Sequence, residues 1–123
     1  MENYGKELIL DLHDCNNEKF TRYYISKFFE ELCKEIDMEA CKKCFWDYKG
    51  YPEEYDKAPV HLKGTSAIQF ISTSNITIHT LDEMKRVYLN IFSCKDFDSI
   101  DAVSFCRNFF EGKIVNEIVI ERI

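Results

Sequence analysis

Apolar and polar positions alternate in the run ELILDLHDC (7–15), with Leu8, Leu10 and Leu12 facing one way and Ile9, Asp11 and His13 the other. That two-residue period predicts a strand with one buried face. From Glu18 to about Ile36 the period changes: Phe20, Tyr24, Ile25, Phe28, Phe29, Leu32, Cys33 and Ile36 recur at threes and fours, the stripe of an amphipathic helix, with Asn16 or Asn17 as its cap. A shorter aromatic stretch, 38–48, reads as a strand, and 49–59, with a glycine, two prolines and several charges, as a loop. Strands follow at 66–73 and 74–80 with no evident turn between them, and again at 86–94. Asp98 or Ser99 caps a second helix with Ile100, Val103, Cys106 and Phe109 inward and Gly112 as its stop, and 114–122 is the last strand. The expected order is β-α-β-β-β-β-α-β, a single α+β domain over residues 1–123. Its architecture is a two-layer α/β sandwich, a mostly antiparallel sheet with two helices on one face.

The other sheet face mixes Asp11, His13, Asn75, Thr77, His79, Asn90 and Cys94 with Tyr88 and Phe92. A face of this kind is either solvated or closes over a site against a second sheet. Composition narrows the choice of partner. The 123 residues are 46% hydrophobic and 15% aromatic, enough for one real core, and the net charge of −6 excludes the basic stripe of a general nucleic-acid surface. The opening MENYGKELILD is acidic where a secretory leader is basic, and no run reaches the length of a membrane span. A cytoplasmic protein is expected, with six cysteines kept as thiols. Cys41 and Cys44 form the one CxxC pair; with no second pair to complete four ligands, they read as ordinary thiols and no metal is expected. Cys15, Cys33 and Cys106 read as core thiols, and the pairs Tyr23–Tyr24, Phe28–Phe29 and Phe109–Phe110 as core packing.

By spacing alone, a serine, a histidine five residues on and a cysteine twenty on define no catalyst. Several stretches in order do more. GKELILDLHDC (5–15), GTS (64–66), SNITIHT (74–80), YLNIFSC (88–94) and KIVNEIVIER (113–122) together resemble the prokaryotic S-adenosylmethionine decarboxylase proenzyme family nearly end to end. The resemblance implies that Ser74 attacks the carbonyl carbon of Thr73, turning the peptide into an ester whose β-elimination leaves a pyruvoyl group at residue 74. It implies His79 as proton carrier and Ser66 as the residue that assists processing. In that family the pyruvoyl carbonyl forms a Schiff base with the substrate amine and accepts the electron pair released with carbon dioxide. Cys94 matches the residue that returns the proton, Glu83 an acidic residue that binds the ribose hydroxyls, and Asp11 stands where the family carries a glutamate. Members are homodimers of processed chain pairs, two sheets face to face with helices outside.

Three positions depart from the family pattern. Thr73 precedes the scissile bond where many members have an acidic residue, Leu81 stands where a tryptophan stacks on adenine, and Val60 falls near a second aromatic partner. Residues 49–59 look like an insertion, which leaves Phe45, Trp46 or Tyr48 to supply that second ring. The resemblance therefore implies S-adenosylmethionine as substrate and a place in spermidine biosynthesis. A pyruvoyl decarboxylase of a basic amino acid such as ornithine or arginine, and an unprocessed homologue that binds or regulates without turnover, are the alternatives.

Overall fold

The protein is described here by a computed structural model covering residues 3–123. Six strands, β1 (Gly5–His13), β2 (Ala40–Trp46), β3 (Gly64–Ile71), β4 (Ser74–Leu81), β5 (Arg86–Ser93) and β6 (Lys113–Arg122), form one sheet in the order β2-β3-β4-β5-β1-β6. Every pairing is antiparallel. Helices α1 (Arg22–Glu35) and α3 (Ser99–Phe110) pack together over one face, as the sequence leads one to expect, and the short α2 (Pro52–Lys57) interrupts the expected loop.

Alternation decides which face is buried. Leu8, Leu10, Leu12, Ile76, Ile78, Val87, Leu89 and Ile91 are all at or below 2% exposure, on the helix side. The helices meet over Phe28, whose ring lies 4.8 Å from Phe110 and 5.3 Å from Phe109. Tyr23, by contrast, is exposed.

The termini of the elements differ from the expected ones for local reasons. Asn16 caps only a single 3-10 turn, and α1 starts later, capped by Thr21, whose Oγ1 accepts the Tyr24 N–H. Asp98 caps α3 by accepting the N–H groups of Ile100 and Asp101. The buried stripe of α3 is Ala102, Val103, Cys106 and Phe110, so Ile100 faces solvent: a strict spacing of three drifts off a 3.6-residue helix face. Its left-handed cap is Glu111, φ 54°, rather than Gly112.

The missing turn between β3 and β4 is a two-residue hairpin loop, Ser72–Thr73, with Ile71 opposite Ser74. Neither loop residue has a positive φ, so the turn lacks the mirror-image geometry that matches strand twist. Instead the next residue does: Ser74 has φ 156°. A serine at that value lies just outside the extended range, in a region costly for any residue with a Cβ.

Candidate active site

The residues singled out in the sequence fall into two groups at opposite ends of the sheet. At the first end, β5 brings Ser93 opposite Ser74, and the N–H of Cys94 donates to the Thr73 carbonyl at 3.1 Å. Attack on that carbonyl would turn its oxygen negative, and a backbone donor already in place is what stabilises such charge. The Ser74 hydroxyl accepts from Asn75 Nδ2 at 3.2 Å. By register Ser74 belongs to the helix-side row, but at the hairpin end its hydroxyl still reaches Asn75 of the open face. Cys94 is exposed beside Tyr4, whose phenol is pushed up by a hydrogen bond with the thiol. Gly5 allows β1 to press against this corner: a Cβ there would fall 2.2 Å from the Ser93 carbonyl oxygen and 2.7 Å from the Cys94 Cα.

At the second end, direct cross-strand partners line up in one row: Trp46, Ser66, His79, Tyr88, Asp11 and Asn116, one from each strand. Ser66 Oγ and His79 Nδ1 are 2.8 Å apart, and burial pushes the imidazole below its ordinary value, so the pair is neutral near pH 7. His79 stacks at 6.5 Å from Tyr88. Asp11 accepts from Asn116 Nδ2 at 3.3 Å. A cavity of about 430 Å3 runs over this row, lined by Phe45, Trp46, Ser66, Thr77, His79 and Tyr88, among others. Trp46, 84% exposed, supplies an aromatic surface there, whereas Leu81 is buried.

Glu83 lies on the β4–β5 turn, ion-paired to Lys63 Nζ at 3.2 Å, with that ammonium 5.2 Å over the Tyr55 ring. Tyr55 donates to the carboxylate of Asp82 at 2.8 Å; burial and this acid push the phenol to about 12, and burial pushes Asp82 up as well. The segment around α2 is thus clamped to the turn that carries Glu83.

Thr73, Ser74 and Cys94 therefore come together, as do Ser66 and His79, but the two groups do not meet within one chain. Five steps along the strand separate Ser74 from His79, about 16 Å at ~3.3 Å each. Two residues of the first end were missed in the sequence. Ser93 is wholly buried where the parity of Val87, Leu89 and Ile91 calls for an aliphatic residue, and that break in pattern was the available signal. Tyr4 precedes its strand and carried none. Cys41 and Cys44 lie exposed on edge strand β2, Cys15, Cys33 and Cys106 are buried as expected, and all six thiols are free. Among the described residues no helix is long and apolar enough to cross a membrane.

Residues 6–123 match the family described as S-adenosylmethionine decarboxylase. Among curated relatives, the S-adenosylmethionine decarboxylase proenzyme of Clostridium botulinum (strain Langeland) is 30% identical over 100% of this chain and 95% of its own. The proenzyme of the same name from Thermosipho melanesiensis is 25% identical over 96% of this chain and 83% of its own. Among solved structures, the adenosylmethionine decarboxylase from Aquifex aeolicus superimposes with a TM-score of 0.78 at 18% identity, covering 99% of this chain and 92% of that one, a likeness of fold.

Proposed function

The chain belongs to the S-adenosylmethionine decarboxylase family, and on that premise we propose that it is a proenzyme that cuts itself between Thr73 and Ser74 and then decarboxylates S-adenosylmethionine. The observation that carries the reading is the Cys94 N–H resting on the Thr73 carbonyl, beside a serine held off its relaxed backbone. Ser74 Oγ attacks that carbonyl and the acyl group moves from nitrogen to oxygen. Removal of the Ser74 Cα proton then expels the Thr73 carboxylate, and addition of water with loss of ammonia leaves a pyruvoyl group at residue 74. The chemistry that group supplies is an electron sink for the bond to the departing carboxyl. A self-made group fits here, because a serine hydroxyl, the scissile carbonyl and a donor for its oxygen already adjoin.

This chain's residues do the rest. Cys94, exposed at the same corner, returns a proton to the substrate carbon. Trp46 offers the flat ring that Leu81 cannot, and Glu83 and Asp11 offer carboxylates to ribose hydroxyls and a cationic substrate. The product would serve as aminopropyl donor for spermidine biosynthesis.

The separation of Ser74 from His79 supports a homodimer. With two open faces opposed about a two-fold axis, the Ser66–His79 pair of one copy can reach the Ser74 corner of the other. His79 then carries the proton for the attack or the elimination.

Buried Leu81 in place of a stacking ring favours one second reading, decarboxylation of ornithine or arginine. Intact mass measurement under denaturing conditions, beside Ser74→Ala, tests the cut. Two fragments dividing after Thr73 are expected, the second with a pyruvoyl end, and one unbroken chain for Ser74→Ala. A wild-type chain that stays whole refutes self-processing and leaves a non-catalytic homologue. Carbon dioxide release from S-adenosylmethionine, ornithine and arginine then decides the substrate, and release from a basic amino acid alone overturns the adenosyl reading.

A further inference from the structure

Along β5 the buried positions Val87, Leu89 and Ile91 are followed by a hydroxyl, Ser93, with no exposed surface. A buried hydroxyl is retained at a cost unless partners satisfy it. Ser93 Oγ lies 2.8 Å from Thr73 Oγ1, accepts the Lys95 N–H at 3.0 Å and approaches Met38 Sδ at 3.7 Å. Thr73 Oγ1 in turn reaches the same sulfur at 3.5 Å. Two successive residues of one strand end therefore hold the residue before the cut: Ser93 its side chain, and the N–H of Cys94 its carbonyl.

Held at both points, Thr73 cannot turn about its Cα–C bond without breaking one contact. The strand register puts Ser74 directly opposite Ser93, so the peptide between Thr73 and Ser74 is fixed on its acyl side while Ser74 carries the φ of 156° on its amine side. A relaxed hairpin end would escape the unfavourable value by rotating that peptide. The hydroxyl pair blocks the escape.

We propose that Ser93 is a positioning residue for chain cleavage: through the Thr73 hydroxyl it keeps the scissile carbonyl on the Cys94 amide and open to the Ser74 hydroxyl. It touches no reacting atom and acts through Thr73 alone. The inference rests on the self-processing reading above.

A double-mutant cycle tests it. The cut is timed by intact mass from fresh precursor of the wild type, Ser93→Ala, Thr73→Val, the double variant and Ser93→Thr. Each single loss slows cleavage by about tenfold, the scale of one net hydrogen bond. The double variant is no slower than the slower single, because each single already breaks the shared Ser93–Thr73 hydroxyl contact, and Ser93→Thr, which keeps the hydroxyl, restores the rate. Melting temperatures of the same substitutions in a Ser74→Ala background, which cannot cut, separate positioning from folding: they shift by a few degrees and do not rank with the rates. Singles that cut at the wild-type rate, additive slowing, or rates that follow the melting temperatures overturn the role of Ser93 while leaving self-processing intact. A wild type that never cuts removes both.

Discussion

His79 sits half-buried against Ser66, and burial alone holds its pKa below the ordinary 6.5. Above that ordinary value both folded and unfolded states carry a neutral ring; below it the unfolded chain takes up the proton first, so stability is lost as pH falls from there through the folded value. If His79 moves the proton in chain cleavage, the acid limb of the rate against pH has its midpoint below 6.5. A limb at or above that value removes His79 as a neutral base. The thiols divide in the same way. Burial pushes Cys15 to about 11 and raises Cys33 and Cys106, whereas Cys41, Cys44 and Cys94 are exposed. Alkylation followed by peptide mass mapping of the native protein leaves the three core cysteines unmodified, and they react only on unfolding. At this scale the sequence singled out Ser66, Ser74, His79 and Cys94, because they stand in recognisable stretches, and the structure pairs Ser66 with His79 and sets the Cys94 N–H on the carbonyl before Ser74. Ser93 and Tyr4 escaped it because their importance lies in the neighbours that strand pairing gives them.

Among the elements, the hairpin of β3 and β4 does most to place chemistry. Gly64 lets β3 approach β4 so closely that a Cβ would fall 1.6 Å from the Thr80 carbonyl oxygen. Gly5 does the same for β1 against the end of β5, so Gly5→Ala is expected to lose about 1–3 kcal/mol of stability in denaturant titration. It should also slow the cut, since the clash falls on Ser93 and Cys94. Phe28→Ala, at the junction of the helices, is expected to cost about 3–5 kcal/mol with a fall in melting temperature. The periods of α1, β1, β4 and β5 were legible, since one-sided burial writes its period into the residues, whereas the short α2, with no buried residue, was not. The hairpin turn was not, because Ser72 and Thr73 carry none of the glycine or asparagine that marks a mirror-image turn, and the backbone shifts the cost to Ser74. The inward face of α3 was largely legible: Val103 and Cys106 are buried and Phe109 packs partly buried against the core, while Ile100 faces solvent and Ala102 and Phe110 complete the stripe.

For the whole molecule, one covered and one open sheet face make a composite site the economical arrangement. Mixing Ser74→Ala with His79→Ala protein before assembly tests it. Hybrid dimers bring a cleavable Ser74 and an intact His79 to the same corner, so part of the His79→Ala chains are cut; no cutting in the mixture argues against a shared site. The strand order β2-β3-β4-β5-β1-β6 has a further consequence for any chain severed after Thr73. The leading fragment would own β1, β2 and β3, and the trailing fragment β4, β5 and β6, yet β1 lies between β5 and β6. The two polypeptides would be interleaved like folded hands, sharing the β3–β4, β5–β1 and β1–β6 ladders and the contact of α1 with α3. They could part only by dismantling the sheet. The wound would therefore leave the body whole: dilution would not separate the halves, and once denaturant had done so, each would hold only part of a sheet and no core of its own to refold around.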